Sequence, residues 1–347
     1  MPLLDPLTSL APAAVATGPA GSRRIDLFFT VPQLGEMSVA NLWHRWWVEG
    51  VGWRPTNGWR QRCGYWTSAV SAAAYSGGRV DVFGLGRSKT LYQTTGSGSA
   101  LSGSGQWDRT SHGRPDDWNL ISSPAAIALG PANFLIGVRT TRRDSQGRRY
   151  NKLWFRASEG GGELSPPTWR WKGRVAGSWP TNLASFATGL GVASRLPGSL
   201  DLFNVTRDFE LIHTPYEGTP SPWGGFGQLG YEGSLTSTPS VAVWQDVRGS
   251  QMHVVSCVGP FPLEPGAVAL KSWKPGWSDT KLIYTDGRTD GRGVAGPPVI
   301  VSWGKPRLDV FFLSQASPVG GGLGITHGVS ANGRSWDFSE ILPIPNF

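Results

Sequence analysis

Polar and apolar residues alternate in short runs along this chain, and one run keeps returning. Its clearest copies are Arg24-Ile-Asp-Leu-Phe28, Arg79-Val-Asp-Val-Phe83, Ser199-Leu-Asp-Leu-Phe203 and Arg307-Leu-Asp-Val-Phe311. Degenerate copies stand at Asn133-Phe-Leu-Ile136 and Gln251-Met-His-Val-Val255. Alternation with period two predicts a β-strand with one face in a core. The centre of the run falls at Asp26, Asp81, Leu135, Asp201, His253 and Asp309, in steps of 52 to 66 residues. A near-constant period in this range marks a propeller or similar array. A triplet follows each run: Leu42-Trp43-His44, Leu91-Tyr92-Gln93, Leu153-Trp154-Phe155, Leu211-Ile212-His213, Ala269-Leu270-Lys271 and Ile325-Thr326-His327. Six copies fill residues 1–347. They predict one all-β domain, a six-bladed β-propeller with four antiparallel strands per blade and almost no helix.

Each repeat parses into strands A to D. Strand A is made of small residues, as in Thr67-Ser-Ala-Val-Ser-Ala-Ala73 and Thr236-Ser-Thr-Pro-Ser240. Six strands converging on an axis leave little room for side chains, so small residues mark the innermost strand. Strand B is the alternating run, and its Asp is expected to cap a turn or accept from backbone amides. Four copies suit a scaffold better than a catalytic acid. Strand C carries the triplet. Strand D holds Trp59, Trp118, Trp179, Trp223, Trp277 and Trp336, expected to fill the widening gap between radial sheets. The B–C connections read as long loops at Val31–Ala40, Arg139–Lys152, Gly259–Val268 and Ser314–Gly324. They share a face with the D–A loops, which makes that face the expected working face. The C–D loop Gly96–Gly105 reads as a flexible linker.

Composition narrows the choice. The chain has 48 Gly and 18 Trp, a net charge of +8 and a pI near 9.8. Its basic residues are scattered apart from the run Arg139–Arg149, which reads as a solvated loop, so no nucleic-acid partner is expected. No apolar run reaches the ~18 residues of a membrane span. Residues 1–20 lack the pattern of a signal peptide. That leaves a cytoplasmic protein, or a secreted or vesicular one if a leader has been removed. Cys63 and Cys257 fall in non-adjacent blades and are expected to be free thiols. Asn204-Val-Thr206 is a glycosylation sequon directly after a strand B.

No metal cluster, phosphate-cradling Gly motif or nucleophile elbow is present. The position closing each triplet reads His44, Gln93, Phe155, His213, Lys271, His327, and three of only five histidines share it. Lys271, His44, His213 and His327 are the candidate catalytic donors. Arg45, Trp46, Tyr92, Gln93, Trp154, Arg156, Tyr216 and Trp273 are the candidate substrate-binding residues around them. A repeated His can equally bond the next blade and serve only the scaffold.

Leu42-Trp-His-Arg-Trp-Trp47, Leu235-Thr-Ser-Thr-Pro239 and the Arg-apolar-Asp-apolar-Phe strands together resemble the fucose-lectin-like propellers of fungi and bacteria. The fungal lectins have six blades and the bacterial ones seven, so six copies favour the fungal architecture. Such lectins repeat an Arg, a carboxylate and an aromatic at each blade interface, and no such trio is legible in this sequence. Unequal repeats suit one asymmetric pocket. In this the chain is similar to the hetero-Diels–Alderases of tropolone sesquiterpenoid biosynthesis. That resemblance implies a cofactor-independent pericyclase acting on small polyketide and terpene substrates. It would join an o-quinone methide, derived from a tropolone or phenol, to an alkene such as humulene. Aromatic walls would position both partners, and a Lys, Arg or His would steady the developing oxyanion. A fucose- or other carbohydrate-binding lectin is the competing reading.

Overall fold

The computed structural model describes residues 11–19, 21–33, 36–75, 78–103, 107–116, 118–130, 133–159, 168–173, 188–196, 199–206, 208–216, 227–229, 235–246, 249–259, 266–274, 276–285, 293–304, 307–315 and 322–345. They form six antiparallel sheets, one per repeat. Blade one is Ala13–Thr17, Arg24–Gln33 and Glu36–Val48, with Gly52–Arg54 and Arg60–Trp66 both pairing with the third strand. Blade two is Ser71–Tyr75, Arg79–Leu85, Leu91–Ser97 and Asp108–Gly113. Blade three is Ala125–Gly130, Asn133–Arg143, Arg149–Glu159 and Thr168–Gly173, with Asn119–Leu120 added beside the second strand. Blade four is Gly191–Ala193, Leu200–Val205, Leu211–Tyr216 and Gly227–Gln228. Blade five is Ser240–Asp246, Gly249–Val258, Ala267–Trp273 and Lys281–Tyr284. Blade six is Val299–Ser302, Leu308–Gln315, Leu323–Ser330 and Asp337–Pro343. The chain is the predicted six-bladed β-propeller.

The innermost strands neighbour one another in blade order, and the last returns to the first. Among the described residues, no strand is exchanged between blades six and one. Closure rests on packing, with Phe29, Trp53 and Trp59 of blade one against Phe311, Leu313 and Leu342 of blade six. Two indoles pin the seam: Trp59 Nε1 donates to the Pro343 carbonyl at 2.7 Å and Trp303 Nε1 to the Arg24 carbonyl at 3.0 Å. Each other pair of neighbouring blades buries its own apolar cluster, so the core is a ring of interfaces rather than one centre.

Several loop expectations are corrected. In repeats one and three, much of the expected B–C loop is strand: the second and third strands run on as a ladder to Pro32↔Ala40 and Arg143↔Arg149. The tip of the latter is closed by the Asp144 carboxylate, which accepts from the Gln146 and Arg148 amides. The linker-like Gly96–Gly105 segment contains a short helix, Ser99–Ser102. Leu101 anchors it in the core, and its carbonyl accepts from Arg24 and Arg62. Of the tryptophans expected in strand D, Trp179 and Trp223 lie outside the described residues, and Trp59, Trp118, Trp277 and Trp336 stand outside the strands. Cys63 and Cys257 are both free. Burial pushes the Cys257 thiol up to about 12. Asn204 is buried and its amide donates to the Gly189 carbonyl at 2.8 Å, so the sequon offers no free acceptor for a glycan. Among the described residues, no helix is long and apolar enough to cross a membrane.

Candidate functional site

Period two puts Arg24, Asp26 and Phe28 on one face of their strand, and that face looks at the next blade. Register places His44 directly opposite Phe28, and the two rings stack at 4.5 Å. His44 Nε2 then meets Asp26 Oδ1 at 2.8 Å, and Arg24 clasps the same carboxylate through Nε and Nη2 at 2.8 and 2.6 Å. Behind the imidazole, Arg62 Nε donates to His44 Nδ1 at 3.2 Å. An arginine can only donate. His44 is therefore neutral, with its proton on Nε2 and directed at Asp26. Burial, with the nearby Arg62 charge, pushes His44 down to about 4. Burial alone would raise Asp26, but the hydrogen bond from His44 and the charges around it hold the carboxyl below its usual range.

The same assembly recurs. In blade four His213 Nε2 lies 2.7 Å from Asp201, with Phe203 stacked at 4.7 Å. In blade six His327 Nε2 lies 2.8 Å from Asp309, with Phe311 stacked at 4.5 Å. Here Nδ1 meets Glu340 at 2.6 Å. Burial opposes protonation of His327, but hydrogen bonds to two carboxylates raise its pKa. In blade two Gln93 replaces the imidazole: its amide donates to Asp81 and its carbonyl faces His112 Nε2 at 2.7 Å. The strand-B Asp residues meet side chains rather than the backbone amides expected of them.

The structure corrects one ring position. Val255 of blade five pairs with Leu270, as Phe28 pairs with His44. Leu270 therefore occupies the His44 position, and Lys271 lies one residue on, pointing to the other side of the sheet. There it borders a small recess with Leu211, Leu235 and Thr280, where burial lowers its pKa.

The other candidates are spread round the ring and do not meet in one pocket. Arg45 is buried, lies over Trp53 and donates to the Thr56 carbonyl at 3.1 Å. Trp46 is covered by Arg24 and Arg60. Tyr92 lies under Arg109 at 4.0 Å, and a hydrogen bond with Thr90 lowers its phenol pKa. Trp154 packs between blades two and three, tilted against Trp118. Arg156 is half-buried near His112, and burial lowers its pKa. Tyr216 ends its strand opposite Leu200, and its side chain lies outside the described set.

Correct register also exposes a feature the sequence reading missed. Three residues beyond the His44 position stand Trp47 in blade one and Trp273 in blade five, each facing the preceding blade. Arg307, bound to Asp309, lies 4.9 Å from the Trp47 ring and 4.5 Å from Trp303. Arg195, bound to Asp201 at 2.7 Å, lies 4.8 Å from the Trp273 ring. An Arg and its carboxylate thus meet an indole of the following blade at two described interfaces, four–five and six–one, whereas Arg24, bound to Asp26, lies 5.1 Å from Trp46 of its own blade. The trio is incomplete at two others. Blade two has Gly96 at the indole position, where a Cβ would run into the Trp107 ring. Blade three has the buried Ser158 there.

A cavity of about 480 Å³ lies on the axis, bounded by the starts of the innermost strands. Ala, Pro, Ser, Thr and aliphatic residues line it together with Arg139, and none of the twelve sequence candidates does. It opens where strand A begins and strand B ends, the face anticipated for a pocket, but its wall is not aromatic.

No family model and no curated protein matches the chain. Solved structures do. A triple arginine-to-alanine mutant of AofleA from Arthrobotrys oligospora has a TM-score of 0.64 at 12% identity, over 99% of this chain and 89% of that one. A mutant Aleuria aurantia lectin in complex with alpha-methyl-L-fucoside has a TM-score of 0.62 at 14% identity, over 98% and 97%. SapL1 lectin in complex with alpha methyl fucoside has a TM-score of 0.58 at 13% identity, over 98% and 99%. At such identities the likeness is one of fold, and the fold is that of the fucose-specific lectins.

Proposed function

We propose that this chain is a carbohydrate-binding propeller whose ligands dock at the two interfaces where Arg, carboxylate and indole meet. The recurrence of that trio carries the reading. A half-buried indole offers an apolar face for sugar C–H groups. A guanidinium carries five N–H donors, a chemistry that suits hydroxyl and ring oxygens. Asp201 and Asp309 already neutralise their arginines, which favours a neutral sugar over an acidic one. Fucose, the ligand named for two of the similar lectins, is neutral. The test is titration with methyl α-L-fucoside and a panel of neutral and acidic glycans. Trp273→Ala leaves the Arg195–Asp201 pair intact, and it is expected to weaken the four–five site about tenfold without unfolding the protein. Unchanged affinity would remove Trp273 from the site.

One observation favours a second reading, the pericyclase. The ring encloses an axial cavity of a size that suits small-molecule ligands. In this reading Arg139, rather than Lys271 or the ring histidines, is the donor for the developing oxyanion of an o-quinone methide adding to humulene. Incubation of the protein with a quinone methide precursor and humulene tests it. Adduct formation above the uncatalysed background supports it, and background alone discards it.

A further inference from the structure

We infer that Asn57 is a site of self-modification, where the side-chain amide reacts with the next backbone nitrogen and then with water to give aspartate or isoaspartate. The site lies at the seam that closes the ring. The sequence holds two Asn-Gly pairs, Asn57-Gly58 and Asn332-Gly333. Glycine has no Cβ to shield its amide nitrogen, so that nitrogen has open access to the preceding side-chain carbonyl carbon. Both glycines take left-handed backbone, with φ of 75° and 68°. The two pairs are equals in sequence and differ in surroundings. Asn332 is tied down: its Oδ1 accepts from the Arg334 amide at 2.7 Å and the Ser335 amide at 3.0 Å. Gly333 packs on blade five, where an added Cβ would stand 3.7 Å from His253 and from Leu308. Thr56, Asn57 and Gly58 are instead exposed, and a Cβ on Gly58 would meet nothing within 4 Å. Neither the Asn57 side chain nor the Gly58 amide has a hydrogen-bond partner among the described residues.

The Asn57 side chain is free to turn onto the Gly58 nitrogen. That nitrogen bonds to Cγ and gives its proton to solvent, and the Cγ–Nδ2 bond breaks as Nδ2 leaves as ammonia. Water then opens the cyclic imide at either carbonyl. One water enters and one ammonia leaves, with no change of oxidation state. The place gives the change a consequence, because the turn is anchored at both ends. The Thr56 carbonyl accepts from Arg45 Nη2 at 3.1 Å, and its hydroxyl accepts from Arg54 Nη1 at 3.2 Å. Trp59 packs edge-on to Phe29 at 4.6 Å and donates to the Pro343 carbonyl of blade six at 2.7 Å. Opening at the main-chain carbonyl gives isoaspartate, which routes the chain through Cγ. One more carbon then lies between the Thr56 anchor and the indole that pins the seam.

The test is incubation of the full chain in mildly alkaline buffer made with ¹⁸O-water, followed by peptide mapping with fragmentation that separates aspartate from isoaspartate. Label is expected at residue 57, in both products. Asn57 should react at least about tenfold faster than Asn332, because two main-chain hydrogen bonds must first break at Asn332. In urea, with the chain unfolded, the two sites should react alike, which assigns the difference to the fold. The aged protein should unfold at lower urea than the fresh protein. Asn57→Gln, whose longer side chain closes the imide far more slowly, should keep its midpoint through the same incubation. An unlabelled Asn57 in the folded chain, or equal rates at Asn57 and Asn332, would overturn the modification site. A parent midpoint that does not fall on ageing, or an Asn57→Gln midpoint that falls as far as the parent's, would overturn its effect on the seam.

Discussion

Replacing Asp26 with alanine is expected to cost about 3–5 kcal/mol of stability, the loss typical when one partner of a buried ion pair is removed. Asp26 is fully buried, and three groups lean on it. Arg24 would lose its carboxylate, His44 the acceptor for its only proton, and Arg62 the charge that offsets its own burial. These groups sit between blades one and two, where Phe28, Trp66 and Trp107 form the apolar contact, so the damage falls on an interface. Urea unfolding of Asp26→Ala beside the parent measures the cost. A difference under about 1 kcal/mol would mean that the apolar cluster holds the interface without the charges.

Acid is expected to weaken the ring between pH 6.5 and about 4. His44, His112 and His253 are each pushed down to about 4, first of all by burial. In that window the unfolded chain binds protons that the folded one refuses, so stability falls as the pH falls. For His44 the full loss is about 3 kcal/mol, at 1.36 kcal/mol per pKa unit. His327 works in the opposite sense. Its raised pKa gives a contribution fully present below about 6.5 that is lost as the pH rises through its folded value. Its partner Glu340 has a lowered pKa, and that contribution is lost as acid titrates it. Three histidines against one make the net slope positive in pH. His44→Gln isolates the effect, because Gln93 already fills the same place in blade two. That variant should show a shallower loss of urea midpoint from pH 7 to pH 4 than the parent. An identical slope would mean that His44 takes up its proton without strain.

Much of the fold was legible because strand B obeys one simple rule. Arg, Asp and Phe two residues apart must share a face, so Arg24, Asp26 and Phe28 announced both a strand and its buried side. The candidate site was harder to read. In Ala267-Val-Ala-Leu-Lys-Ser-Trp273 apolar residues stand side by side, and alternation does not fix which face Lys271 takes. The resulting one-residue slip put Lys271 in the ring and hid the match between Trp273 and Trp47. Arg195 left no signal, because it reaches Asp201 from the loop before strand B while Ser199 stands where repeats one, two and six have Arg. The long ladders of repeats one and three looked like loops because Pro32 and the basic run around Asp144 interrupt the apolar pattern.

The most direct measurement is the stoichiometry of methyl α-L-fucoside binding to the intact chain, by calorimetry and by a ligand-bound crystal structure. Two sites per chain are expected, at the four–five and six–one interfaces. Trp273→Ala should weaken the first and Trp47→Ala the second. Absence of fucoside binding at millimolar concentration, or a single site unaffected by either substitution, would contradict the assignment of the Arg–carboxylate–indole interfaces as the carbohydrate sites.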